Sequence, residues 1–182
     1  MKYTVELIQK EFNKGKSLKY MFFWGHQPSK DGSITKSCFS QWWICNFEVD
    51  GEHYNSAEQY MMAEKAKLFD DDEIRKQILE CKHPKQVKSL GRMVKGFKED
   101  VWAKNCFQIV KRGNIAKFSQ NKELLEFLIN TKQRVLVEAS PIDKIWGIGL
   151  VKDTDNIENP FIWKGKNLLG FALMEVRDEL LG

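Results

Sequence analysis

Hydrophobic and polar positions follow two different periods along this chain, and the change of period divides it into elements. In the first third, aromatic-rich runs bounded by turn residues are typical of short strands, at 19–25 and 40–49. Asp50-Gly51 is a strong hairpin signal and predicts a return strand over 52–54. From residue 56 onward, most apolar residues recur at intervals of three and four, which is the helical period. The pattern therefore predicts a mainly α fold with a small β component.

The predicted helices each carry an apolar stripe, and several begin at a capping residue or a proline. Pro84 is placed as a first-turn proline, and Asp100 is placed as an N-cap. The first helix is predicted to end near residue 15. The later helices are predicted over 56–69, 72–81, 84–94, 100–116, 123–129 and from 167 onward. A brief buried strand at 134–138 precedes a long loop at 140–162. We find no repeat and no linker, so the 182 residues predict a single domain over 1–182.

The helix that begins after Ser56 has an unusual face. Ser56 followed by Gln59 is a capping-box signature, so Ser56 is predicted to be the N-cap. One face of this helix then carries two ionisable and two large apolar side chains, at Glu58, Met62, Lys65 and Phe69. The helix dipole favours an ionised carboxylate in the first turn, and the lysine amine could approach it. The alternative is a capping acid with a lysine that extends to solvent.

Composition and charge exclude several classes of protein. Hydrophobic residues at 42% and charged residues at 30% are typical of a globular protein, and no apolar run is long enough to span a membrane. The N-terminus lacks a secretory signal, so we expect a cytoplasmic protein with reduced cysteines. The four cysteines contain no C-x-x-C pair and the three histidines are scattered, so no zinc site is expected. We expect no other metal and no cofactor. A net charge of +4 permits a polyanionic ligand without requiring one.

Two further segments are candidates for binding. Lys85, Lys88, Arg92 and Lys95 form a basic stripe on the 84–94 helix, which is either a solvated face or a surface for phosphates. The 140–162 loop is longer than ordinary connections, and such loops are often functional. It contains Asp143, Trp146 and a Gly147-Ile148-Gly149 turn that does not continue into a dinucleotide-binding fingerprint.

Tryptophan is frequent in this chain, with six residues. Trp24, Trp43, Trp102 and Trp146 stand beside polar or glycine-rich segments. Each is either a core residue or a surface on which a base or a sugar stacks. Flat aromatic side chains together with paired carboxylates fit a site that stabilises an oxocarbenium-like centre.

Several strings in the chain match one known pattern. They are SQWW…F…DGEHYNSAEQYMMAEKA, P-x-x-x-K-x-x-GR from Pro84 to Arg92, Trp102, the short AKF (116–118) and QN (120–121) strings, LVEASPIDKIWGIG, and W-x-GKNLLGFALMEVR. In this order and spacing the sequence resembles the NADAR, or YbiA-like, family from about residue 19 to the C-terminus. Residues 1–16 lie outside the resemblance and are predicted to be a helical extension.

The resemblance implies an N-glycosidase that cleaves the bond between C1 of a ribose and a nitrogen. It implies catalytic roles for Glu58, Trp102 and Asp143, and it places the family lysine at Lys65. We expect Glu58 to stabilise charge at C1, and Asp143 to orient water or to protonate the leaving base. Lys65 is expected either to pair with Glu58 or to attack the opened sugar as a Schiff base. The remaining candidates for substrate binding are Trp24, Trp43, Arg92, Trp146, Gly147 and Asn167.

Three functions remain open at the level of sequence. The resemblance implies either removal of ADP-ribose from guanine in DNA or RNA, or cleavage of phosphorylated ribosylamino-pyrimidines in riboflavin synthesis. The third alternative is a non-catalytic module that binds ADP-ribose. In all three the partner is an ADP-ribose-type or phosphoribosyl ligand, and no membrane is involved.

Overall fold

The computed structural model describes every residue from Met1 to Gly182. The chain forms two compact units, one of residues 1–40 with 126–182 and the other of residues 41–125. The helices are α1 (Val5–Asn13), α2 (Ala57–Leu68), α3 (Asp72–Glu80), α4 (Pro84–Gly91), α5 (Glu99–Ser119), α6 (Lys122–Ile129) and α7 (Leu168–Leu181). The strands are β1 (Tyr20–Phe23), β2 (Ile44–Val49), β3 (Glu52–Ser56) and β4 (Val135–Glu138). The predicted class, mainly α with a small β component, is confirmed, while the single domain stays a prediction.

The unit formed by the two ends of the chain is built on a parallel pair of strands. β1 pairs with β4 in a register that places Tyr20 opposite Val135 and Phe23 opposite Glu138. Helix α7 packs closely on β4, because a Cβ atom at Gly170 would lie 2.1 Å from the carbonyl oxygen of Leu136. The carboxyl ends of parallel strands meet at one edge of a sheet, and the segments that follow Phe23 and Glu138 leave from that edge.

The extension α1 belongs to the same unit. Thr4 caps its first turn by accepting a hydrogen bond from the backbone N–H of Leu7. Phe12 meets Phe161 edge to face, and the Gln9 amide donates to the carbonyl oxygen of Pro160. Helix α1 is therefore packed against the short 3₁₀ turn at Pro160–Ile162.

The central unit is organised around α2. The β2–β3 hairpin leads directly into this helix, which packs against α3, α4 and α5. Two glycines allow the close approach. A Cβ atom at Gly113 of α5 would lie 2.3 Å from the Tyr60 ring, and one at Gly91 of α4 would lie 2.0 Å from the sulfur of Met62. With neighbours on several sides, eight of the twelve residues of α2 are buried.

Several predicted boundaries are wrong, and three of them concern the central unit. Helix α4 ends at Gly91 rather than at Val94, since Arg92 is its C-cap. Helix α5 begins earlier than expected, with Lys98 as N-cap, and Asp100 stabilises the first turn instead of capping it. The predicted 40–49 strand is shortened to β2, because Ser40 closes a 3₁₀ turn and Trp42-Trp43 precede the strand.

Two further features bear on the predicted class of protein. None of the helices combines the length and the hydropathy that crossing a bilayer demands. No disulfide joins any of the four cysteines. A cytoplasmic location stays a prediction.

Candidate active site

The first turn of α2 is fixed by hydrogen bonds on both sides of Glu58. The Ser56 hydroxyl accepts from the backbone N–H of Gln59 at 3.2 Å, which confirms Ser56 as N-cap. The Gln59 side chain returns to the N–H of Asn55, one residue before the cap. The N–H of Glu58 itself donates to the carbonyl oxygen of Gln41 at 2.8 Å. The Glu58 side chain, 3% exposed, is thus buried at the positive end of a helix dipole.

Two turns later, α2 carries a half-buried amine. The Lys65 amine donates to the carbonyl oxygen of Gly91 at 2.7 Å and lies 4.2 Å from the ring centroid of Phe97. The Trp102 ring centroid is 5.8 Å from the same nitrogen. The amine forms neither a hydrogen bond nor an ion pair with Glu58, so the expected Glu58–Lys65 pair is not present. Burial lowers the pKa of Lys65 from 10.5, which increases the fraction of neutral, nucleophilic amine.

Polar residues beside α2 were missed by the sequence reasoning. The Asn114 amide donates to the side-chain oxygen of Gln41 at 2.9 Å and to the carbonyl oxygen of Val110. Both residues are more than nine-tenths buried, yet Gln41 Nε2 and Asn114 Oδ1 have no hydrogen-bond partner. Lys117, one turn further along α5, is fully buried with its amine 5.2 Å from the Phe118 ring. The sequence does indicate that Asn114 and Lys117 are buried, because they lie at helical spacing on the side of α5 that also carries Phe118.

Some residues of the basic stripe already interact with other side chains of the protein. Lys95 forms an exposed ion pair with Glu73, and the Lys88 amine lies 5.6 Å from the Trp42 ring centroid. Lys85 and Arg92 are exposed, and their side chains form no ion pair. Arg92 follows Gly91, so it is a neighbour of the carbonyl that holds Lys65. A phosphate contact of Arg92 stays a prediction.

The predicted loop is a compact, hydrogen-bonded region with Asp143 at its centre. One carboxylate oxygen of Asp143 accepts the backbone N–H groups of Ile145 and Trp146 at 2.9 and 2.8 Å. Its own N–H donates to the Ser140 hydroxyl, and its carbonyl oxygen accepts from Gly149. Asp143 therefore shapes the loop through one oxygen, while Oδ2 makes no hydrogen bond.

Gly147 and Asn167 complete the packing of this loop. A Cβ atom at Gly147 would lie 2.8 Å from the carbonyl oxygen of Glu138, so any larger residue would push the loop away from β4. Asn167 has a left-handed backbone, with φ of 52°, and is fully buried. Its side chain accepts from the N–H of Glu138 and donates to the carbonyl oxygen of Leu136, both at 2.9 Å. Both residues act here as positioning groups, and their contact with substrate stays a prediction.

The structure groups the sequence-predicted residues within each unit. Lys65 and Trp102 lie together, with Arg92 close by, whereas Asp143, Trp146, Gly147 and Asn167 share the loop of the other unit. Among the tryptophans, Trp24 is 60% exposed and Trp43 only 8% exposed, so Trp43 has little ring surface to offer a ligand. Trp102 and Trp146 are half-buried. Phe97, 43% exposed beside the Lys65 amine, is a further candidate that was not predicted.

No cluster of three or more His, Cys, Asp or Glu side chains has the geometry to hold a metal ion.

Comparison with known proteins identifies related chains. A family model described as the NADAR domain matches residues 22–181. An N-glycosidase of Acanthamoeba polyphaga mimivirus is 48% identical over 168 residues, which are 88% of this chain and 96% of that protein. A chloroplastic riboflavin biosynthesis protein, PYRR of Zea mays, is 33% identical over 72% of this chain but only 19% of its own length. The solution structure of the Escherichia coli protein YbiA superposes with a TM-score of 0.71 and 28% identity, covering 90% of this chain and 85% of YbiA.

Proposed function

This chain belongs to the NADAR family, and we propose that it removes ADP-ribose from guanine bases of nucleic acid by hydrolysing the bond between ribose C1 and nitrogen. Its class of enzyme follows from those relatives that are named N-glycosidases, the mimivirus protein among them, so the chain is a hydrolase. The one observation that carries the proposed chemistry is α2, which holds a buried carboxylate in its first turn and a half-buried amine two turns later.

Glu58 is proposed to stabilise the positive charge that develops at C1 as the base departs. A carboxylate fixed before the reaction stabilises such charge without reorganising, especially where water is excluded. The Glu58 side chain is buried and its backbone is fixed through the carbonyl oxygen of Gln41. These features support an electrostatic role for Glu58.

Lys65 is proposed to act as a nucleophile once the sugar ring has opened. Ring opening leaves C1 joined to the base nitrogen as an iminium. The neutral Lys65 nitrogen attacks C1, the C1–N bond to the base breaks, and the base leaves with a proton. Water then hydrolyses the lysine imine to the sugar aldehyde and regenerates the amine. Two observations support this role over a charge pair with Glu58: the amine contacts Gly91, Phe97 and Trp102 instead, and burial lowers its pKa.

Asp143 is proposed to position water or to protonate the departing base through Oδ2, since Oδ1 is engaged with the backbone of its own loop. Trp102 and Phe97 are proposed to stack against the sugar or the base. That Glu58 and Asp143 act on one anomeric carbon stays a prediction.

A riboflavin-pathway substrate is the second candidate, and the similarity to the maize protein favours it. A non-catalytic binding module is less well supported, because Glu58, Lys65, Trp102 and Asp143 are all present. A pocket without these side chains could bind ADP-ribose but could not cleave the bond between C1 and the base.

The test is to incubate the pure protein in parallel with ADP-ribosylated guanosine and with phosphorylated ribosylamino-pyrimidines, and to follow base release by chromatography. We expect release from the guanosine substrate. Glu58→Gln should abolish this release while ligand binding remains measurable, because the amide keeps the shape but not the charge. Release only from the pyrimidines would establish the second candidate, and full turnover in the Glu58→Gln variant would exclude the role of Glu58.

A further inference from the structure

Three lysines lie close together at the loop of residues 140–162, here called the Asp143 loop: Lys144 is within it, and Lys164 and Lys166 directly follow it. The backbone N–H of Lys166 donates to the carbonyl oxygen of Lys144 at 2.9 Å. Gly149 lies between Lys144 and Lys164, since a Cβ atom at this glycine would be 3.1 Å from Cγ of Lys144 and 3.2 Å from Cβ of Lys164. The stems of Lys144, Lys164 and Lys166 therefore leave the loop from neighbouring positions, and all three side chains are exposed.

None of these three lysines has an anionic partner in the protein. Elsewhere on the same unit, Lys2 is paired with Asp178, and Lys14 and Lys16 with Glu11. These three positive charges are exposed and form no ion pair, although the Asp143 carboxylate belongs to the same loop. Unbalanced cations grouped in this way create a positive potential that attracts a polyanion.

Large apolar side chains are exposed on both sides of Lys144. Ile142 is 87% exposed and Ile145 is 54% exposed. Trp24, 60% exposed, leaves the same edge of the parallel strand pair, because the N–H of Ala139 donates to the carbonyl oxygen of Phe23. Exposed apolar side chains that leave one edge of a sheet together with unpaired cations favour a binding surface.

We propose that this surface binds single-stranded nucleic acid, with the phosphates on Lys144, Lys164 and Lys166, a base stacked on Trp24, and apolar contacts from the two isoleucines. Proteins that bind single strands combine a positive groove with flat side chains on which successive bases stack. The inference rests on the proposed function, in which the modified guanine is carried by a polynucleotide. It adds that the strand flanking the modified base is held by the Asp143 loop.

The direct test is fluorescence anisotropy with a labelled, unmodified single strand of about 12 nucleotides, a length within the usual site sizes. The test variant is Lys144→Gln/Lys164→Gln/Lys166→Gln. The matched control, Lys10→Gln/Lys76→Gln/Lys104→Gln, removes the same charge from exposed lysines elsewhere. The test variant loses three phosphate contacts, so the negative slope of log affinity against log salt should become shallower by about 2. Trp24→Ala should weaken binding by about tenfold with the salt slope unchanged.

An equal salt slope in the test and control variants would overturn the proposal. So would binding of an acidic peptide as tight as that of the strand, since the surface would then be a general anion site. Thermal unfolding of each variant shows whether the comparison is made between folded proteins.

Turnover separates this inference from the proposed function. On ADP-ribosylated oligonucleotide the test variant should lose at least tenfold more kcat/KM than it loses on ADP-ribosylated guanosine. Equal losses on the two substrates would overturn the inference and leave the function intact. Strand binding with the expected salt slope, but no turnover of either substrate, would leave the inference standing and remove the function.

Discussion

The amine of Lys65 hydrogen-bonds the carbonyl oxygen of Gly91, and this 2.7 Å contact joins α2 to the last residue of α4. Gly91 can reach this position because it has no side chain, since a Cβ atom there would lie 2.0 Å from the sulfur of Met62. Met62 and Lys65 are one turn apart on α2, so a single glycine sets both the packing of the two helices and the acceptor for the amine.

Replacing Gly91 tests this link. Gly91→Ala should destabilise the protein by about 1–3 kcal/mol, because overpacking forces Met62 or α4 to move. It should also reduce kcat, since the Gly91 carbonyl would shift from Lys65. Urea unfolding and steady-state kinetics measure the two effects.

The Gly91 prediction has an internal control in Met62→Ala, which removes the group that clashes. In the double variant the Gly91→Ala penalty should shrink, so that the two changes are less costly together than their sum. Strict additivity would show that the close contact with Met62 is not the cause of the destabilisation by Gly91→Ala.

Lys65 is predicted to form a covalent adduct during turnover. Borohydride reduction in the presence of ADP-ribosylated guanosine should trap the sugar on the wild-type protein, with Lys65 identified by mass spectrometry. Lys65→Ala removes the nitrogen, and Lys65→Arg keeps the charge but has no nucleophilic amine, so neither should be trapped. An adduct that persists in Lys65→Arg would assign the nucleophile to another residue.

The pH dependence of trapping should report the environment of Lys65. Burial disfavours the charged amine and lowers its pKa, so adduct formation should rise with pH through a midpoint below 10.5. In Phe97→Ala, water reaches the amine and the midpoint should move up toward 10.5. Phe161→Ala, which removes an exposed ring from the other unit, is the control and should leave the midpoint unchanged. A midpoint that falls in Phe97→Ala would mean that the ring acts mainly by attracting the ammonium group.

Local signals in the sequence predicted α2 well and its surroundings poorly. The capping box located the helix and Glu58, because Ser56 and Gln59 act within one turn. The partner of Lys65 could not be predicted, since Gly91 is 26 residues away and its approach depends on the position of the Met62 side chain. The β1–β4 pairing is similarly non-local. For Asp143, sequence identified the residue but not that one of its oxygens would hold its own loop.

Asp143 allows chemistry to be separated from loop structure. Asp143→Asn keeps an oxygen that accepts from Ile145 and Trp146, so the unfolding transition should stay close to wild type. Its activity should nevertheless fall by about 10²–10⁴-fold, the usual contribution of a general acid or base. Asp143→Ala should lose activity and also destabilise the loop. Near-normal activity in Asp143→Asn would reduce the residue to a positioning role.

Asn167 combines a left-handed backbone with two buried hydrogen bonds to β4, and substitutions can separate these contributions. Asn167→Gly accepts the backbone conformation but loses both bonds, leaving the N–H of Glu138 and the carbonyl oxygen of Leu136 unsatisfied, which should cost about 2–4 kcal/mol. Asn167→Ala loses the same bonds and adds the left-handed penalty of about 1–2 kcal/mol. Urea unfolding should therefore rank the wild type above Asn167→Gly, and Asn167→Gly above Asn167→Ala. If the two variants are equally stable, the backbone at 167 relaxes out of the left-handed region, and the start of α7 is not fixed by Asn167 as the structure indicates.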